Sequence, residues 1–252
     1  MSLNSSYTYL LVNLGALIIP LLFSFHPKIQ FYKRWKEVLL SLFLVSIPFI
    51  AWDILYTHLG VWGFENKYLL GVSVFNLPIE EILFFYCIPY ACVFTYYCFR
   101  LIQKEFGYFS IRWVSLFLII GLLVLGILNF NRLYTSVTFI GLSLLLVFTQ
   151  FYLSPNWLGR FYLSLVVLIL PFLIVNGILT GTAVDKPIVW YNSEEFMGVR
   201  LGTIPIEDFF YGFLLILLNV LLIENVGMRG FEPPISRPPD AHFNRTKLHP
   251  EI

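Results

Sequence analysis

Seven long apolar stretches alternate with more polar connections along this chain, at roughly 7–25, 38–56, 79–99, 113–129, 134–153, 161–180 and 204–224. A helix needs about 20 mostly apolar residues to cross the hydrocarbon core of a bilayer, so the pattern predicts an all-α integral membrane protein with seven transmembrane helices. Lys and Arg set its orientation. One set of connections, with the C-terminal tail, carries twelve of them: Lys28, Lys33, Arg34, Lys36, Arg100, Lys104, Arg112, Arg160, Arg229, Arg237, Arg245 and Lys247. The other set carries four, Lys67, Arg132, Lys186 and Arg200. The richer side is cytoplasmic, which puts the N-terminus outside and the C-terminus inside. Spans four and five are parted only by Phe130 to Leu133 and are expected to form an antiparallel hairpin.

Two connections are long, roughly 57–78 and 181–203. Both fall on the outer side and are rich in aromatic, Gly and Asn residues. Trp62, Phe64, Tyr68, Trp190 and Tyr191 suit the lipid–water boundary, so these loops are expected on the membrane surface or dipping into it. From about Gly227 the composition changes to prolines and scattered charge, and a disordered tail over 227–252 is expected.

Composition sharpens this picture. The chain is 58% hydrophobic and 12% charged, whereas a soluble surface wants about a quarter to a third of its residues charged. A net charge of +1 with no basic stripe gives no reason to expect nucleic acid. Cys87, Cys92 and Cys98 all lie in one apolar span without a CxxC, and small apolar packing explains them better than disulfides or a metal. The four histidines are dispersed, so no metal site is expected. There is no GxGxxG, HExxH or GxSxG, and the last span has no lysine for a retinal Schiff base.

Against this apolar background one phrase occurs twice, Pro78-Ile79-Glu80-Glu81 and Pro205-Ile206-Glu207-Asp208, each at the head of a span. Other features recur in the same order. Pro48 matches Pro171, and five residues later come Asp53 and Asn176. Trp62-Gly63-Phe64-Glu65-Asn66 corresponds to Trp190-Tyr191-Asn192, and Gly71 to Gly198. The matched spans lie four apart, an even number, so both copies run the same way through the membrane. The expected organisation is a first repeat over 1–103, a connector helix over 104–130 and a second repeat over 131–226, with three helices per repeat.

Carboxylates in the first turn are stabilised by the free N–H groups there, by about 0.3–1 kcal/mol, so helix capping at the surface is the plain reading of the phrase. A carboxylate at mid-bilayer costs roughly 2.5–3.5 kcal/mol, and the repetition beside matched loops points to a use. Consecutive helical residues lie about 100° apart. One acid of each phrase therefore faces the bundle interior, and the expected close pair takes one from each repeat, Glu80 with Glu207. Two carboxyls together in an apolar site do not both ionise, so one keeps its proton as a general acid while the anion stabilises a nearby cation. Asp53 is a plausible partner; Asn176, neutral at the matched position, makes the repeats chemically unequal.

With the paired phrases, the aromatic-Asn loops and the tandem repeat in view, the chain resembles the membrane-integral lycopene cyclases, in the form that fuses two small subunits. The second copy departs after its acids, running Phe209-Phe210-Tyr211-Gly212 where the first has Ile82-Leu83-Phe84-Phe85. The resemblance implies a multi-pass protein of a cell membrane, here a bacterial inner membrane, that forms β-ionone end rings on an acyclic carotenoid such as lycopene. It implies acid-initiated, redox-neutral cyclisation without a cofactor. Glu80 and Glu207 are expected as the primary acids, with Glu81, Asp208 and Asp53 in support. Trp62, Phe64, Asn66, Phe84, Phe85, Asn176, Trp190, Tyr191, Asn192, Phe210 and Tyr211 are expected against the substrate. The partners that go with this are the carotenoid, the bilayer, and neighbouring enzymes of the same pathway or further copies of the chain. A non-catalytic subunit that binds a polyene or lipid, or a proton-coupled carrier, are the competing readings.

Overall fold

The structure, a computed structural model, describes residues 5–102 and 108–227. Of the tail expected over 227–252, residues 228–252 lie outside the described residues, as do the first residues of the connector, 104–107. Among the described residues seven α-helices follow one another: α1 (Thr8–Phe23), α2 (Trp35–Leu59), α3 (Ile79–Ile102), α4 (Tyr108–Leu128), α5 (Leu133–Val147), α6 (Leu158–Leu179) and α7 (Ile206–Gly227). Six are long and apolar enough to cross a membrane, α5 through its continuation to Leu153, which makes this a multi-pass membrane protein. The seventh, α1, has 16 residues and spans about 24 Å, less than the ~30 Å of hydrocarbon that the sequence pattern was expected to fill. The turn Asn129–Arg132 joins α4 to α5, which pack together along their length. After Val147 the helix widens to i→i+5 bonding over Phe148–Leu153.

The packing centres on α3 and α7, the helices that carry the acidic phrases. Helix α1 lies along α3, and α5 along α7. Helix α2 packs on α7 as well as on α3, while α6 packs on α3 more extensively than on α7. The two halves of the chain therefore interlock, each sending a helix against the acid-bearing helix of the other. The aliphatic and aromatic faces at this junction, with Phe49, Phe85, Phe139, Phe161 and Leu217, form the main core.

The two long connections meet in a single cap. Strand β1 (Trp62–Phe64) pairs antiparallel with β4 (Val189–Tyr191), with Gly63 opposite Trp190. A side chain at Gly63 would collide with the Trp190 ring, 2.4 Å from the position of its Cβ. Ion pairs Lys67–Asp185 (2.6 Å) and Lys186–Glu65 (3.8 Å) tie the loops together on the exposed side. Underneath, Tyr68, Ile188 and Phe196 are buried in a second core with Tyr9 and Tyr134. The loops are thus held by each other rather than spread singly.

Each connection ends in the same small device. Hairpin β2–β3 (Ser73–Val74 with Leu77–Pro78) precedes α3, and β5–β6 (Arg200–Leu201 with Ile204–Pro205) precedes α7. Each tight turn needs a positive φ, supplied by Phe75 (56°) in one and Gly202 (64°) in the other. The phrase prolines close these hairpins, one residue before the helices that they were expected to open. Ile79 N–H then bonds Val72 O at 2.9 Å, and Ile206 N–H bonds Val199 O at 3.0 Å.

Candidate active site

In each phrase the two acids point different ways. Glu80 and Glu207 are both fully buried, with no exposed surface. Glu80 Oε1 accepts from the Leu70 N–H at 2.6 Å, just before Gly71. Glu207 Oε1 accepts from the Met197 N–H at 2.8 Å, just before Gly198, and from the Thr135 hydroxyl at 2.6 Å. The glycines have φ of +81° in both loops, a left-handed turn that swings the preceding N–H toward the helix. The first acid of each phrase therefore fastens its loop to its helix. The expected Glu80–Glu207 pair does not line the cavity described next: a loop N–H holds Oε1 of each, while Oε2 of each is buried without a hydrogen-bond partner.

The second acids do line it. A cavity of about 690 Å³ lies below the cap, between α1, α3, α6 and α7, and Glu81, Asp208 and Asp53 all open onto it. Helix α2 brings in Asp53 because Gly60, with φ of +71°, ends that helix and turns the chain back so that Trp62 lies over it. The Trp62 indole N–H donates to Asp53 Oδ1. The Glu81 carboxyl is the neighbour of Asp53 on the cavity side. Tyr9, from α1, donates to Glu81 Oε2. Asp208 is held by two phenols, Tyr134 to Oδ1 at 2.6 Å and Tyr191 to Oδ2 at 2.9 Å. Burial, with the Asp208 carboxylate beside it, keeps the Tyr191 phenol well above its ordinary pKa, so Tyr191 serves as a donor.

Rings close around these acids. Tyr134 and Tyr191 stack at 5.8 Å, and Trp62 meets Tyr134 edge-on at 5.1 Å. Tyr211 lies against Trp52 at 5.1 Å and against Trp62 at 6.2 Å. Of the residues expected against a substrate, Trp62, Phe64, Phe84, Asn176, Tyr191 and Tyr211 line the cavity. The remainder do not reach it. Phe85 and Phe210 turn into the packing, against Phe49 and Phe139. Trp190 covers Gly63 from the exposed side, Asn66 is exposed on the cap, and Asn192 is spent on the Glu194 N–H. A strand alternates its faces, so Tyr191 points in where Trp190 points out.

Four contributors escaped the sequence reading: Tyr9 and Tyr134, which hold the cavity acids, and Asn13 and Thr135, which hold the phrase acids or their backbone. Asn13 Nδ2 donates to Glu80 O at 2.7 Å. A signal was present. Tyr9-Leu10-Leu11-Val12 and Tyr134-Thr135-Ser136-Val137 match in their Tyr and Val at the head of α1 and α5, the first helix of each half.

The bundle and cavity define a class, a multi-pass helical membrane protein whose apolar chamber ends in a cluster of carboxyls beneath an aromatic roof. The model of the family described as lycopene cyclase matches residues 6–99 and 131–226. The chain belongs to the lycopene cyclase family. The two matched stretches are the two halves that interlock across the cavity. No curated protein and no solved structure matches the chain.

Proposed function

We propose that this protein closes a β-ionone ring at the end of a membrane-dissolved acyclic carotenoid such as lycopene. The observation that carries the reading is the meeting of Asp53, Glu81 and Asp208 at one end of a single apolar cavity built by both halves of the chain. Asp53 and Glu81 hold a proton between them, since like charges in contact in an apolar site do not coexist. Their proton goes to the terminal double bond of the substrate and leaves a tertiary carbocation. The neighbouring double bond attacks that cation and forms the ring bond, moving the positive charge into the ring. Loss of a ring proton to a carboxylate restores a double bond. One proton is gained and one lost, so product and substrate are isomers.

Asp208 fits the anionic role. Both of its oxygens accept from phenols, an arrangement that favours a carboxylate. It is therefore the group that stabilises the cation and takes up the departing proton. The faces of Trp62, Tyr211 and Phe84 around the cavity add cation–π attraction, about 0.5–2 kcal/mol per ring in a desolvated site. Substrate and water are kept apart by the paired loops of the cap.

The same reading gives the chain two parallel three-helix repeats joined by α4, with the N-terminus and cap outside and the C-terminus cytoplasmic. Matched hairpins, matched glycines and matched Tyr–acid pairs support the repeat, and the Lys and Arg distribution supports the orientation. The test is expression in a lycopene-accumulating bacterium followed by chromatography of the pigments. Monocyclic or bicyclic β-ring products are expected; unchanged lycopene beside well-inserted protein would falsify the reading.

A further inference from the structure

The cavity follows α3 from Glu81 to Thr95, a run of about 21 Å at 1.5 Å per residue. An extended forty-carbon polyene is about as long as the hydrocarbon core is thick, ~30 Å. A substrate whose end lies at the acids cannot be enclosed. The deep lining of the cavity, with Leu168, Cys92, Leu215 and Ile216, is buried inside the bundle.

The side is open. On α1, Leu11, Gly15 and Ile19 line the cavity and also face outward, Leu11 with 42% and Ile19 with 63% of its surface exposed. Their four-residue spacing makes one stripe along the helix. On α6, Pro171 and Ile174 do the same, Ile174 with 57% exposed. A residue that lines a cavity and is exposed marks its mouth. A side chain added at Gly15 would meet nothing within 4 Å, so this glycine leaves a gap that packing does not fill.

Resting on the reading of the cavity as a carotenoid site, we infer that an apolar slot between α1 and α6 admits the acyclic polyene sideways from the bilayer and holds its tail while the end group reacts. The occupant is a polyene because the slot is apolar, opens on the lipid-facing side and leads to a proton donor that a saturated acyl chain does not need. It also follows that one end of the carotenoid reacts at a time. A bicyclic product requires the monocyclic one to leave through the slot and return reversed.

The slot is tested by filling it. Gly15→Phe and Ile174→Trp are compared with Leu14→Phe and Ile18→Phe, which put an aromatic ring on the lipid-facing side of α1 away from the mouth. Lycopene conversion is measured in membranes at matched protein levels. The slot variants are expected to lose at least tenfold in conversion, with wild-type yield and thermal unfolding in detergent, while the controls stay close to wild type. Wild-type conversion by both slot variants, or an equal loss in the controls, overturns the slot. If the wild type itself leaves lycopene unchanged, the proposed activity fails instead. The slot is then read from lycopene co-purified in mild detergent, retained by wild type and lost from Gly15→Phe if the slot exists, and retained equally by both if it does not.

Discussion

The two acid-bearing helices begin alike and finish in different company. Both follow a hairpin, both use their first glutamate to fasten a loop N–H, and both receive a tyrosine from the first helix of their half. There the likeness stops. Glu81 faces a second carboxyl, Asp53, whereas Asp208 faces a second phenol, Tyr191, and the position matched to Asp53 is the neutral Asn176. A duplicated frame thus supplies two unequal carboxyl sites to one chamber. On the proposed reading, the carboxyl pair would share a proton and serve as the acid, and the carboxyl with two phenol donors would serve as the anion that faces a cation. A strictly symmetric pair would supply two of one and none of the other.

The sharpest break of this comparison is Glu81→Gln or Asp208→Asn. Each is expected to cut lycopene conversion by roughly 10²–10⁴-fold, the usual contribution of a positioned acid or base, with membrane insertion intact. Asp53→Asn makes the first half resemble the second; conversion should fall by about a hundredfold, at the low end of that range. If Asp53→Asn retains full rate, the shared proton is not the acid. Removing one phenol from Asp208, by Tyr134→Phe or Tyr191→Phe, should cost about tenfold, the ~1.5 kcal/mol end of a hydrogen bond to a charged group. Tyr9→Phe offers the matching measurement on the acid side. The smallest effect on rate is expected from Glu80→Gln and Glu207→Gln, within about threefold per folded molecule, while stability in detergent falls by about 1–3 kcal/mol as a buried bond to the loop weakens. A rate collapse at unchanged stability would return these two glutamates to the chemistry.

Much of this was legible in the chain. The apolar stretches located all seven helices, and the doubled phrase led to the right end of the right two. The reading failed one residue at a time. The 100° step between neighbours separates Glu80 from Glu81, but only the loop geometry says which of them turns inward, because the claim of the Leu70 N–H on Glu80 depends on the left-handed Gly71. Trp190 and Tyr191 were treated together, although strand alternation sends them to opposite faces of the cap. Phe85 and Phe210 went to packing for a similar reason, as each follows on the helix a ring or acid that already faces the cavity or its neighbour. Tyr9 and Tyr134 were overlooked because a lone tyrosine at a helix head carries no chemistry until its partner, more than seventy residues away, is known.

Taken alone, the amino-acid order determined the membrane setting, the number of helices, the duplicated plan and the family, since hydropathy and recurring short phrases are local and survive without coordinates. Only the tertiary structure decided which carboxyls share the chamber, what holds the others, and where the chamber meets the lipid. Those depend on helices from opposite halves crossing each other's acid-bearing partner, a contact between distant segments that no local pattern encodes.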